Sequence, residues 1–254
     1  MRQLTLTALA GIPEVRAGDS LAALIRAALA RTRRTLAADD VVVVAQKIVS
    51  KAEGRQVRLD TVQPTARALE LARAADKDPR LIELVLRESR DVLRVKPGVV
   101  IVEHRLGFVM ANAGVDQSNL DAPHAAPSAL LLPEDPDASA RRLRAELCAA
   151  CGVEIGVIIN DSFGRAWRNG VTGIAIGVAG VPALVDMRGL TDRAGRELRV
   201  TQIAAADELA AAASLVMGQG SEGFPVVLAR GFPYRLRESS VAELIRLRAE
   251  DLFR

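Results

Sequence analysis

Residues 153–170 read VEIGVIINDSFGRAWRNG, and this stretch decides how the rest of the chain is read. An apolar, β-branched run ends abruptly in Asn160, Asp161 and Ser162, followed by Gly164, Arg165, the lone Trp167, Arg168 and Gly170. The run has the composition of a buried strand. A buried strand that delivers an acid and a hydroxyl to its C-terminal mouth, with arginines just beyond, suits a metal ion held beside an anionic ligand. The same residues also suit a strand capped by an Asx turn. Taken alone, the stretch leaves both readings open.

Working outward, residues 41–55 (VVVVAQKIVSKAEGR) begin as a fully apolar strand and end in a polar tail carrying Gln46, Lys47, Ser50, Lys51, Glu53 and Arg55. The chain has only four lysines, Lys47, Lys51, Lys77 and Lys96, and two of them fall in this tail. A third run, VVIVEHR, turns at Leu106 and Gly107 and returns as FVMANAGVDQSN, closing in Asn112, Gly114, Asp116, Ser118 and Asn119. Three strands that end in such groups predict convergence at one mouth of a sheet.

The intervening pattern alternates. Residues 4–9 read as a strand, and Asp19 or Ser20 caps a helix that Asp39 and Asp40 close. Residues 65–94 read as helical with a break at Asp78 and Pro79, and residues 121–136 as a loop. Asp137 or Ser139 caps a helix running through Cys151, and residues 170–189 look like strands broken by glycines. Residues 207–217 form an Ala-rich helix before the strand PVVLARG, and Ser239 or Ser240 caps a final helix to Phe253. The fold class is therefore α/β or mixed α+β, in a single domain of 254 residues with ample core.

Composition narrows the function. There are 34 basic and 31 acidic residues, interspersed, for a net charge of +3, and no basic stripe suggests nucleic acid. No apolar run approaches the roughly 20 residues needed to span a bilayer. The N-terminus lacks a signal-peptide core, so a cytoplasmic location is expected. Cys148 and Cys151 form a lone CAAC pair, short of ligands for zinc, and read as reduced structural cysteines at a helix end. His104 and His124 offer no Ser-His-Asp set, and His104 reads as structural. Gly218, Gly220 and Gly223 spell G-x-G-x-x-G, but after a helix and before a strand, the reverse of the dinucleotide-binding context. The readings left are a helix C-cap with a turn, or a loop whose N–H groups cradle phosphate. No Gly-Lys pair occurs, so a P-loop is absent. Lys47 and Lys51 are natural partners for phosphates, while Asp116 and Asp161 supply the hard oxygens that Mg²⁺ or Mn²⁺ takes.

In order and spacing, VVVVAQKIVSKAEGR, ANAGVDQSN, INDSFGRAWRNGVTGIAIG and MGQGSEGFPVV resemble the coenzyme F420 γ-glutamyl ligase family, over roughly residues 4–232. The resemblance implies an amide ligase, dependent on GTP and a divalent metal, that adds L-glutamate to a deazaflavin phospholactate and then further glutamates through γ-linkages. It implies a two-part α/β fold, an intertwined homodimer, two Mg²⁺ or Mn²⁺ ions and a K⁺ ion. Carried over by motif, Gly11, Ile12, Pro13, Glu14, Gln46, Lys47, Lys51, Asn119 and the loop Met217, Gly218, Gln219, Gly220, Ser221, Glu222, Gly223 and Phe224 are nucleotide contacts. Gln46 and Lys47 stand where some relatives carry small hydroxyl residues. Asp116 and Asp161 are ligands of one metal, with Ser162 and Gln219 at a second. Some actinobacterial relatives carry a fused nitroreductase-like domain, whose activity is expected to be absent here. Arg165 and Arg168 are expected to clamp the substrate phosphodiester or the glutamate carboxylates, on their placement and the bidentate geometry of arginine. Two rivals are a metal-dependent acyl-phosphate ligase acting on another carboxylate and a non-catalytic nucleotide-binding regulator. The pairing of Asp116 and Asp161 with Lys51 favours an enzyme, because a pure binder needs fewer metal carboxylates.

Overall fold

A computed structural model describes residues 2–118, 120 and 126–252. In chain order the first elements are β1 (Thr5–Ala8), α1 (Leu21–Arg31), β2 (Val41–Ala45), α2 (Gln46–Ala52) and β3 (Gln56–Arg58). Next come α3 (Ala66–Ala75), α4 (Pro79–Arg87), β4 (Ser89–Lys96), β5 (Val99–His104), β6 (Val109–Ala111) and β7 (Ser128–Leu130). The chain then forms α5 (Pro136–Cys151), β8 (Gly156–Arg165), β9 (Arg168–Ala179), β10 (Val185–Asp186), β11 (Gln202–Ile203), α6 (Ala205–Met217) and β12 (Val226–Arg230). The class is mixed α/β, as expected.

The largest sheet has the order β1-β12-β2-β8-β9, and only its central pair, β2 and β8, is parallel. Their apolar runs are buried on both faces. Val42, Val44, Val157 and Ile159 pack under α1 and α5, while Val41, Val43 and Ile158 pack under α6. The period of two thus sends alternate valines into two different cores. Elsewhere, α3 and α4 cover the sheet β4-β5-β6 through Ala68, Ala72, Ile82, Val100 and Val102.

Several sequence expectations need correction. The polar tail after β2 is the helix α2, because Ile48, Val49 and Ala52 recur at helical spacing and bury against the main core. Lys47 and Lys51 therefore share one helix face. The first helix ends at Arg31 rather than at Asp39 and Asp40. The helical reading of residues 65–94 fails from Ser89 onward, where β4 pairs with the apolar β5; tertiary pairing overrides local pattern there. Residues 128–130, expected in a loop, pair with β3. The cap of α5 is Asp135, which accepts from the Ala138 N–H at 2.9 Å, and not Asp137 or Ser139. Asp137 instead accepts from the Val178 N–H at 2.8 Å and the Ser240 hydroxyl at 2.6 Å, anchoring the C-terminal segment to β9. That segment forms only the short 3-10 turns Val241–Leu244 and Arg248–Glu250, not a helix to Phe253.

Residues 153–170 depart most from expectation. Asp161 and Ser162 are not at the mouth of a strand but within β8, which runs on to Arg165 and turns back as β9. Trp167, at φ +65°, makes the turn and is 88% exposed. The glycines of β9 do not break it. A Cβ at Gly173 would lie 2.5 Å from the Ala210 carbonyl oxygen of α6, and one at Gly177 would lie 2.5 Å from the Pro136 backbone of α5. Two helices approach the strand closely because these positions lack a side chain.

Candidate functional site

A cleft of about 750 Å³ opens where β2 passes into α2 and β8 crosses beneath the loop between α6 and β12. Four separate segments line it: Ile12, Pro13 and Glu14 after β1; Gln46, Lys47 and Lys51 on α2; Asp116 and Ser118 beyond β6; and Asp161 and Ser162 on β8. Every residue from Met217 to Phe224 completes the wall.

Asp116 reaches the cleft by an unusual path. After β6 the chain makes a 3-10 turn over Asn112–Gly114, in which Asn112, Ala113 and Gly114 all take positive φ values of 51°, 52° and 66°. Non-glycine residues rarely adopt this left-handed conformation, and surrounding bonds must hold it. The Asn112 side chain accepts from the Val100 N–H at 3.0 Å, and the Asp116 backbone then pairs with Leu130 through bonds of 3.1 and 2.8 Å. So fixed, the Asp116 carboxylate lies 2.7 Å from Lys47 Nζ and accepts from the Ser118 N–H at 2.8 Å. Burial pushes its pKa up, but Lys47 and Ser118 outweigh burial and hold it below the usual carboxylate range.

Asp161 behaves oppositely. Burial, aided by the nearby negative charge of Asp116, raises its pKa from 3.8 to about 6, against the pull of the Ser162 N–H and Lys47. Two carboxylates, one held low by Lys47 and Ser118 and one raised chiefly by burial, form a site whose electrostatics a cation would relieve. Beside them the Ser162 hydroxyl donates to Gln219 Oε1 at 2.8 Å, and Gln219 Nε2 donates to Ser214 Oγ at 2.8 Å. Among the described residues no group of three or more His, Cys, Asp or Glu forms a metal cluster. The donor set for a divalent ion is therefore two carboxylates with neutral oxygens, to be completed by oxygens of water or phosphate; such an incomplete oxygen set fits Mg²⁺ or Mn²⁺.

The remaining wall is suited to an anion. Lys51 lies 3.7 Å from Glu14. In the glycine-rich loop, Gly218 and Gly223 take φ values of +76° and +73°, and the Gly220 N–H donates to the loop's own Glu222 carboxylate at 2.8 Å. Hydrogen bonds from the backbone of Glu222 itself and from Gly220 keep that carboxylate below its ordinary range. An N–H group that already binds a carboxylate in the free protein is chemically competent for a phosphate.

Gly11 lies just outside the wall, its carbonyl bonded by Arg31. Gln46 lines the cleft with its amide turned inward to Ser50 at 2.7 Å. Asn119 falls outside the described residues. Arg165 and Arg168 are not brought to the cleft: they flank the β8–β9 turn, where Arg165 donates to the Asn169 carbonyl at 3.2 Å. Sequence reasoning named Ser118 and Asn160 only as polar strand-end groups, without a role in the site, and passed over Val171; all three line the wall, where Ser118 accepts from Lys47 at 2.6 Å. The spacing D-x-S of an Asx turn was the available signal for Ser118. Cys148 is half-buried and Cys151 exposed, both free at the end of α5, and His104 is fully buried with Nδ1 accepting from the Leu106 N–H at 3.0 Å.

The family model described as F420-0:Gamma-glutamyl ligase matches residues 11–231. The chain is 46% identical over 253 residues to the "Coenzyme F420:L-glutamate ligase" of Methanothermobacter thermautotrophicus, an alignment covering 99% of each. It is 46% identical over 245 residues to the protein of the same name from Methanopyrus kandleri, covering 95% of this chain and 94% of that one. With the Archaeoglobus fulgidus protein of that name it shares 42% over 244 residues, covering 96% and 94%. The matched span contains every segment that lines the cleft, and this chain belongs to the F420-0:gamma-glutamyl ligase family.

Proposed function

We propose that this protein joins L-glutamate to the lactyl carboxylate of a glutamate-free coenzyme F420 precursor, using GTP, and then adds further glutamates through γ-linkages. Its family membership carries the coarser statement, a ligase of coenzyme F420 biosynthesis. The observation that supports the finer reading is the cleft itself. Lys47, Lys51, the loop residues 217–224, Asp116 and Asp161 line one cavity, the arrangement a nucleotide with its cations needs.

A carboxylate is a poor electrophile. Transfer of the terminal phosphoryl group of GTP to it creates an acyl phosphate, which the glutamate amine attacks with release of phosphate. In this reading Lys51 and the Gly220 N–H bind and orient the phosphates, and Lys47, now paired with Asp116, turns to the same charge when the carboxylates take a cation. Asp116, Asp161, Ser162 and Gln219 would hold the divalent ions, which supply charge neutralisation to the phosphates. A homodimer belongs to the same proposal, to be checked by light scattering on the purified chain.

Purified protein incubated with GTP, Mn²⁺ or Mg²⁺, L-glutamate and the glutamate-free deazaflavin, followed by mass spectrometry, tests the reading. Gain of one or more glutamyl units with GDP formed in step supports it. Metal-dependent GDP release only with another carboxylic acid would transfer the activity to a different acceptor.

A further inference from the structure

Beyond Asn160, β8 leaves its neighbour β2 and pairs with β9 alone, so the two strands project from the main sheet as a hairpin. Three side chains at its tip are not accounted for by folding. Trp167, the lone tryptophan, sits in the turn at φ +65°, which glycine adopts freely and a bulky residue only under strain. Its indole is 88% exposed, so burial does not compensate. Strain of this kind persists where a function uses it. Arg165 and Arg168 are directly opposed across the hairpin, where like charges on one face repel. No acid follows Asp161 in the chain until Asp186. Asp207 bonds the Ala175 N–H farther back along β9 and Asp251 shares a hollow with Phe163, but among the described residues neither pairs with these arginines. Arg165 Nε is buried and has no partner among the described residues. An aromatic plate beside two unneutralised guanidiniums is a receptor for a planar ring that carries an anion.

The hairpin leads outward from the main cleft. Asp161, Ser162 and Val171 line the cleft at its base, and by strand alternation Asp161, Phe163 and Arg165 lie on one face of β8. Four residues of strand place Arg165 about 13 Å beyond Asp161, an interval with room for a cation, a carboxylate held by it and a phosphodiester beyond. Trp167 follows at the turn. The anchors therefore run in the order acid, guanidiniums, indole. A deazaflavin phospholactate presents its groups in the matching order: lactyl carboxylate, phosphodiester, polyol chain, planar ring.

We propose that this hairpin is the docking platform for the glutamate-free precursor, whose phosphodiester lies between Arg165 and Arg168 and whose ring stacks on the Trp167 indole. The inference rests on the ligase reading above. An anion between the two arginines removes their mutual repulsion, and a ring on the indole covers the apolar surface that the turn leaves in water. Stacking reads the face of a ring and not its edge, so the arginines, by demanding the anion, supply the selectivity of the platform.

The test uses Trp167→Gly, Trp167→Phe and the double variant Arg165→Gln with Arg168→Gln in the full chain. Glycine suits the backbone of this turn and the indole is exposed, so Trp167→Gly should melt at or above the wild type. Calorimetric titration of the glutamate-free precursor in Mn²⁺ should weaken about fivefold to a hundredfold in Trp167→Gly, the range for loss of one stacked ring, and Trp167→Phe should restore most of it. KM for GTP should not move. The double arginine variant should weaken binding of the precursor but not of the deazaflavin riboside that lacks the phospholactate. Because Trp167 is the lone tryptophan, the precursor should also quench the protein's indole fluorescence with the calorimetric affinity. Precursor affinity unchanged in Trp167→Gly and in the arginine variant, with ligation intact, overturns the platform and leaves the ligase reading standing. Dissociation of Trp167→Gly into monomers by light scattering, with precursor affinity unchanged, assigns the tip to contact between two copies and likewise overturns it. Precursor binding that depends on Trp167 and the arginines in a protein that forms no glutamyl product supports the platform and removes the ligase reading.

Discussion

Asp161→Asn gives the most informative single measurement, because its effects on stability and on function should have opposite signs. The folded protein holds the Asp161 carboxyl at about 6 instead of 3.8, through burial first and the Asp116 charge beside it. A raised carboxyl pKa means that ionisation opposes folding. The penalty is fully present above the folded value of about 6 and vanishes below 3.8. At about 1.4 kcal/mol per pH unit, the shift of about two units sets a ceiling of about 3 kcal/mol, which water in the open cleft reduces to roughly 1–2 kcal/mol. Asparagine keeps the shape and the acceptor for the Ser162 N–H, a bond of 2.8 Å, while removing the charge. Urea unfolding in EDTA should find the Asn variant more stable than wild type at pH 7 and equal to it at pH 3. Adding Mn²⁺ should reverse the order at pH 7, because only the wild type gains binding energy, and turnover by the variant should be abolished. A variant no more stable than wild type at pH 7 in EDTA, or an advantage unchanged at pH 3, would refute the reasoning.

Glu88 should show the opposite pH dependence: although burial opposes its charge, His104, Arg105 and Arg55 hold its pKa at about 2, so its contribution is complete above 4.5 and lost as pH falls toward 2. Glu88→Gln should lower the unfolding free energy by about 3 kcal/mol at pH 7, and a deficit that persists undiminished near pH 2 would show that the charge is not the cause. Gly177→Ala places a methyl group against the Pro136 backbone and should destabilise by about 1–3 kcal/mol in chemical denaturation, with KM for GTP unchanged because the clash lies away from the cleft. Glu222→Gln removes the carboxylate bonded to the Gly220 N–H and should tighten GDP binding several-fold by calorimetry; weaker binding would mean that Glu222 supports the nucleotide rather than competing with it.

The runs Val41 to Val44 and Val157 to Ile159 were legible as buried strands because β-branched residues without polar alternation fit only a sheet covered on both faces. The helix α6, the glycine loop after it and the pairing of Lys47 with Lys51 were equally readable, each resting on local spacing. Local spacing misled where a distant partner determined the outcome. Residues 89–96 have a pattern that a helix tolerates, yet β5 pairs with them; Asp137 looks like a helix cap, yet Val178 and Ser240 claim its carboxylate.

The sequence by itself determined the chemistry available: two hard-oxygen aspartates, two lysines four residues apart, a glycine loop, and motifs whose order marks the family. Residue type and short spacing carry that information because they are properties of the local chain. Only the tertiary structure decided which groups meet. Asp116 lies 69 residues from Lys47 in sequence but 2.7 Å from it in space, while Arg165, four residues after Asp161, does not line the cleft and donates to Asn169 in its own turn. Proximity along the chain is a weak guide to proximity in a sheet, where each strand reverses or crosses over before its side chains find their neighbours.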